Sequence, residues 1–102
     1  MSARLVQLNF KFSVSASEYE QAVSPLANDF AAVSGLRWKI WTLNEADQEA
    51  GGIYLFEDEA SAQEYLEGPL AAMVTSHPAL SDFSVKQSDV MDDLSSTTRG
   101  PV

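Results

Sequence analysis

Leu36-Arg37-Trp38-Lys39-Ile40-Trp41-Thr42-Leu43-Asn44-Glu45-Ala46-Asp47-Gln48-Glu49-Ala50-Gly51-Gly52-Ile53-Tyr54-Leu55-Phe56 decides the fold of this chain. Two runs of strand-forming residues flank a polar, acidic connection, Asn44 to Ala50, and both tryptophans fall in the first run. Successive side chains of a strand alternate faces. Leu36, Trp38, Ile40 and Thr42 then share one face, and Arg37, Lys39, Trp41 and Leu43 the other. Gly52 to Phe56 reads as the next strand, with Ile53 and Leu55 opposite Tyr54 and Phe56. Both faces of that strand are apolar, whereas an antiparallel sheet in a small domain usually leaves one face wet. The second face is therefore expected to be covered by a partner subunit. Gly51-Gly52 leads into a strand and not a helix, so it lacks a phosphate-loop context. It marks a bulge or a close backbone contact.

Working outward, residues 5 to 12 read as a first strand, with Val6, Leu8, Phe10 and Phe12 on one face and Leu5, Gln7, Asn9 and Lys11 on the other. Ser17 and Glu20 form an S-x-x-E capping box that starts a helix. Tyr19, Ala22, Val23, Leu26, Ala27, Phe30 and Ala31 recur at helical spacing as one apolar stripe. Pro25 kinks this helix or restarts it with Ser24 as a new cap. Gly35 stands where a left-handed terminating residue belongs. Beyond Phe56, the acids Glu57, Asp58 and Glu59 open a second helix at the positive end of its dipole. Its apolar stripe runs through Ala62, Tyr65 and Leu66, is broken at Gly68-Pro69, and resumes with Leu70, Met73 and Val74. Ser76-His77-Pro78 ends it. Phe83 to Val90 forms a fourth strand, with Phe83 and Val85 on one face.

The order β-α-β-β-α-β predicts an α+β, ferredoxin-like split-βαβ domain: a four-stranded antiparallel sheet with both helices on one face. The open face is then expected to be the aromatic one, and two such sheets face to face would make a dimeric α/β barrel. The domain occupies residues 1–91, and residues 92–102 form a polar C-terminal tail or an arm laid on a neighbour.

At 102 residues the chain has the length of one domain, near the small end for burying a core. With no cysteine and one histidine it has no disulfide, no Cys nucleophile and no His/Cys zinc cluster, so no metal is expected. Fifteen acids against six bases give a formal charge of −9, which argues against nucleic acid and anionic membranes as partners. No apolar run is long enough to span a membrane, and the N-terminus lacks the apolar core of a signal peptide, so a cytoplasmic location is the default.

The segment Trp38-Lys39-Ile40-Trp41-Thr42, then Glu45, then Glu49 through Phe56, Asp58-Glu59, Ser61-Ala62 and Tyr65-Leu66-Glu67 resembles the YdhR-type putative monooxygenase family. Gln7 through Phe12 and Pro25-Leu26-Ala27 resemble it as well. The likeness spans roughly residues 5 to 67 and weakens beyond Gly68. It implies a homodimeric barrel, and kinship with small oxygenases that oxidise aromatic compounds without metal, flavin or haem.

Cofactor-free oxygenation needs a flat, ionisable substrate, a group to take its proton, and stabilisation of the anion. An apolar pocket with a few polar groups is the expected form. Phe10, Trp38, Trp41, Phe56 and Tyr65 are candidate walls. Tyr54 and Asn9, with Gln7 and Asn44, are candidate hydrogen-bonding groups, and Arg37 or Lys39 a candidate counter-charge. His77, the one side chain that titrates near neutrality unaided, is a candidate base beside Tyr54. Each has a plainer reading. The two tryptophans face opposite ways, so either belongs equally well to the core. Tyr54 is also a packing residue, His77 a capping residue, and Arg37 and Lys39 partners for acids across the sheet. Three functions remain in view: a cofactor-independent monooxygenase of a small aromatic or phenolic compound, a non-catalytic homodimer that binds or senses such a ligand in the same pocket, and a stress-related protein whose dimer scaffold matters more than its pocket.

Overall fold

The alternation of Val6, Leu8, Phe10 and Phe12 draws β1 (Arg4–Phe12) into the middle of a four-stranded sheet, with these four side chains buried and Gln7 and Asn9 exposed. The computed structural model describes residues 3–102, so the first two residues of the expected domain lie outside the described ones. After β1 come α1 (Ala16–Val23), a 3-10 turn (Ser24–Leu26), α2 (Ala27–Ala31), β2 (Leu36–Asn44) and β3 (Glu49–Phe56). Then follow α3 (Glu59–Leu66), α4 (Pro69–Thr75), β4 (Leu80–Asp89) and α5 (Asp92–Thr97). The strands pair antiparallel in the order β2-β3-β1-β4, which is the ferredoxin-like arrangement the sequence predicts.

Helix starts and stops follow local chemistry. The chain carries two overlapping S-x-x-E boxes. The one that forms is Ser15 with Glu18, one turn fraction earlier than Ser17 with Glu20, because Ser15 has the extended backbone a cap requires. Pro25 sits at the start of the 3-10 turn, where its missing N–H costs nothing, and the Ser24 hydroxyl donates to the Glu20 carbonyl. Gly35 has φ of 80°, and a Cβ there would lie 2.2 Å from Ser61 Oγ. The Asp58 carboxylate caps α3 by accepting the Ser61 N–H at 2.8 Å, and that bond holds its carboxyl below the usual value.

Cross-strand register fixes the faces. Val6 pairs with Tyr54, Leu8 with Gly52 and Phe10 with Ala50, so these residues share the helix side of the sheet. There they meet Tyr19, Phe30 and Tyr65 from the helices in one aromatic core: Phe12 stacks on Tyr19 at 5.2 Å, and Tyr54 lies 5.1 Å from Tyr65. The aromatic face is thus the covered one and not the open one. The helices pack on the side where their own aromatic residues, Tyr19, Phe30 and Tyr65, interlock with Phe10, Phe12, Tyr54 and Phe56 of the sheet. On the open face Trp38 is the aromatic residue, beside Leu5, Ile40, Ile53 and Leu55.

A register shift between Leu36 and Trp38 leaves Arg37 as an extra residue. It moves Leu36 to the helix side with Lys39, Trp41 and Leu43, while Trp38 stays on the open side. Leu55 is fully buried although it faces away from the main core. The C-terminal residues reach this face: Trp38 Nε1 donates to the Pro101 carbonyl at 2.9 Å. Residues 92–102 therefore form a short helix and a return onto the chain's own sheet.

Candidate functional site

Lys39 is the unusual residue of the sheet. It projects from β2 into the aromatic layer, paired across the strands with Tyr54. Its Nζ lies 3.4 Å from the Phe30 ring centroid, 3.5 Å from that of Trp41 and 4.7 Å from that of Tyr54. Phe30 and Trp41 stand edge to face at 5.3 Å and 83°. Among the described residues no carboxylate lies within ion-pair distance of Lys39, whereas Arg4 pairs with Glu59 and Asp89, and Lys11 with Glu49. Burial lowers the Lys39 pKa from 10.5 to about 7. The ring faces oppose that shift, because their quadrupoles attract the ammonium form.

The space for this side chain comes from Gly52. A Cβ on Gly52 would sit 2.8 Å from Lys39 Cε and 3.1 Å from Tyr54 Cε1. Its neighbour Gly51 serves a different end: a Cβ there would lie 1.9 Å from the Leu8 carbonyl oxygen, so the backbones approach too closely for any side chain. The double glycine thus closes the sheet on one face and opens a slot for a lysine on the other.

Behind the amine stand two tyrosines. The Tyr65 hydroxyl donates to the Tyr54 hydroxyl at 3.1 Å, which leaves the Tyr54 proton free to donate. Burial, followed by the neighbouring Tyr65, pushes the Tyr54 pKa far up, and burial raises that of Tyr65 too. Both therefore stay protonated at any physiological pH. Burial also pushes the Tyr19 hydroxyl up, to about 12.

Three spaces meet at Trp41. An internal void of about 10 Å³ touches Phe10, Lys39, Tyr54 and Trp41, and has room for no more than a water. A groove of about 400 Å³ lies between α1 and the second half of β2, walled by Tyr19, Val23, Trp41 and Leu43, with Glu20 on its rim. A second groove, of about 290 Å³, lies between α2 and the first half of β2, lined by Phe30, Arg37, Trp38, Lys39 and Trp41 among others. An aromatic molecule in either groove would lie against Trp41, and in the second also against Lys39.

The family model described as "Putative mono-oxygenase ydhR" matches residues 5–101. The chain belongs to the ydhR family. That match carries the family likeness well past Gly68, through α4, β4 and α5. No curated protein matches the chain. Several solved structures share the fold of this ydhR-family member. The cofactor-independent oxygenase SnoaB from Streptomyces nogalater is 18% identical with a TM-score of 0.73, over 92% of this chain and 98% of SnoaB. Rv0793 from Mycobacterium tuberculosis is 14% identical with a TM-score of 0.70, over 90% and 98%. MhuD, a heme-degrader from the same organism whose structure holds two hemes in its active site, is 17% identical with a TM-score of 0.67, over 87% and 97%.

The structure gathers some of the sequence candidates and separates others. Phe10, Trp41 and Tyr54 converge on the internal void, and Tyr65 touches Tyr54 from behind. Phe56 is fully buried and lines none of these spaces. Trp38 and Arg37 line the second groove. Asn9 is exposed on the open face, opposite Gly51 and Ser84, on the far side of the sheet from Tyr54. His77 is exposed in the α4–β4 connection, where its Nδ1 accepts the Ala79 N–H at 3.1 Å, and it lines none of the three spaces. Asn44 is engaged with Asp47 in the β2–β3 turn. In the sequence Lys39 counts only as an alternative to Arg37 for charge compensation. The signal that singles it out is a glycine cross-strand from its aromatic neighbour, which marks a vacant place on that face.

Proposed function

We propose that this ydhR-family chain is a cofactor-independent monooxygenase of a small phenolic or related aromatic compound, with Lys39 as the proton acceptor. The observation that carries this reading is an amine enclosed by three aromatic rings, without an acid partner among the described residues, on the wall of a groove. A lysine with its pKa lowered to about 7 holds a large neutral fraction near neutrality and can act as a general base. It takes a proton from a phenolic O–H or an activated C–H, and the resulting ammonium faces the substrate anion. The anion passes one electron to dioxygen. Recombination of the radical with superoxide forms a C–O bond. Cleavage of the O–O bond, with a proton returned from Lys39, releases water and leaves a carbonyl, so that SH2 and O2 give S=O and H2O. Tyr54, protonated and held by Tyr65, lines the internal void behind Lys39, which has room for one water, and through such a water can supply a hydrogen bond to the oxygen on which charge collects. SnoaB, a cofactor-independent oxygenase of the same fold, supports the reaction class.

Oxygen uptake with a panel of anthrone- and quinol-type compounds tests the reading. Uptake with product formation, reduced at least tenfold in Lys39→Met, is expected. Compounds that bind without uptake or product would sink the oxygenase and leave the ligand-binding alternative. The reading includes a homodimer formed through the open sheet face, where Ile40 is 52% exposed beside Ile53. Sedimentation giving a monomer at micromolar concentration would remove that part. A cytoplasmic location belongs to the same reading; no helix among the described residues is long and apolar enough to cross a membrane.

A further inference from the structure

The groove between α2 and β2 is chemically unlike the rest of the surface. The chain has fifteen acids and six bases, yet this groove is lined by two of the bases, Arg37 and Lys39, and by none of the acids. Its remaining lining is apolar or aromatic, with Phe30, Leu36, Trp38 and Trp41. The one polar atom of Trp38, the indole N–H, is already spent on the Pro101 carbonyl. Against a net charge of −9, a pocket with two cations, no anion and flat walls selects for an anionic, flat ligand. Neither Arg37 nor Lys39 has a carboxylate partner among the described residues to compete with such a ligand.

From this geometry we infer a second activity: Lys39 captures aromatic aldehydes or ketones that carry an acid group as a reversible imine, with Arg37 holding the acid group. The inference needs no oxygen and stands or falls apart from the oxygenase reading. The Lys39 nitrogen adds to the carbonyl carbon, forming a C–N bond while the C=O π pair goes to oxygen as an alkoxide, which takes up a proton from solvent. Loss of that hydroxyl as water, with the proton from nitrogen, leaves a C=N bond. No oxidant or reductant enters. The product iminium keeps the positive charge between the Phe30 and Trp41 faces, where the ammonium already lies 3.4 and 3.5 Å from the two centroids. The slot left by Gly52 holds the lysine stem in place for the reaction. A pKa lowered to about 7 supports the same conclusion, since only the neutral amine attacks.

The test uses the full-length chain under anaerobic conditions near neutral pH, with 4-formylbenzoate as the probe and cyanoborohydride to trap the imine. Intact mass and peptide mapping then report the labelled lysine. The expected result is one adduct at Lys39, formed at least tenfold faster than at Lys11 or Lys86, and severalfold faster with 4-formylbenzoate than with 4-methylbenzaldehyde. Arg37→Gln is expected to remove the preference for the acid while leaving the adduct at Lys39. Labelling spread evenly over the lysines, or absent from Lys39, overturns the capture. Equal rates with the charged and neutral aldehydes overturn the assignment of Arg37. Mapping the unsubstituted protein keeps the outcome independent of whether any Lys39 variant folds.

Discussion

Replacing Lys39 by methionine keeps the stem of the side chain and removes the amine, and the effect is readable in stability against pH. In the folded chain burial lowers the Lys39 pKa from 10.5 to about 7. Between those two values the unfolded chain holds a proton that the folded chain has lost. Unfolding therefore takes up a proton, and stability rises with pH through this window. The slope is at most about 1.4 kcal/mol per pH unit, so the gain from about pH 7 to about pH 9 is roughly 2 kcal/mol. That is an upper figure. The Phe30 and Trp41 faces stabilise the ammonium by up to ~2 kcal/mol when desolvated, which raises the folded pKa and narrows the window. The buried tyrosines act with the opposite sign but at higher pH. Tyr19, Tyr54 and Tyr65 keep protons that the unfolded chain loses near about pH 10, so they lower stability there, and measurements belong below that point. Asp58, held below the usual carboxylate value, acts only in acid. Urea unfolding at several pH values between about 7 and 9 is the assay. The unsubstituted chain should gain stability across the series and Lys39→Met should not. A variant with the same slope as the parent would show that Lys39 does not titrate in this range and does not serve as a base near neutral pH.

Gly52→Ala places a methyl 2.8 Å from Lys39 Cε and 3.1 Å from the Tyr54 ring, so the lysine should swing into solvent at a cost of about 1–3 kcal/mol, and the pH slope of stability should flatten as in Lys39→Met. Tyr65→Phe leaves the Tyr54 hydroxyl without its buried partner and should lower stability by about 1–3 kcal/mol in urea unfolding. If Tyr54 bonds the substrate, Tyr54→Phe should lower kcat further than Tyr65→Phe; equal kcat values would remove Tyr54 from the chemistry. His77→Ala removes the acceptor of the Ala79 N–H, for a stability loss of about 0.5–1.5 kcal/mol, and should leave oxygen uptake intact. Loss of uptake in a folded His77→Ala would return His77 to the site.

The fold was legible because its determinants are local and periodic. The two-residue alternation in β1, the helical stripe from Tyr19 to Ala31 and the break at Gly68-Pro69 each depend on neighbours within a few positions. What escaped depends on the register between paired strands. The bulge at Arg37 changes which face Leu36 occupies, and no property of Arg37 alone announces it. The choice of covered face also escaped, since alternation says which residues share a side but not which side the helices take.

The candidate site shows the same division more sharply. Trp41, Tyr54 and Phe10 could be nominated by residue type, and they do converge. Lys39 could not be ranked above Arg37 by type, because both are cations on one strand. Their difference lies in what stands opposite. Arg37 falls at a bulge and turns to the exposed rim, whereas Lys39 faces a slot emptied by Gly52, a residue of the next strand that only the register brings beside it. A glycine is usually read for its own backbone, as Gly51 rightly is here. Gly52 matters for the side chain it makes room for. Burying an amine there without a carboxylate sacrifices stability below its pKa, and a fold whose only interest was stability would have placed an apolar residue at position 39. The unpaired amine is the feature on which the proposed chemistry rests.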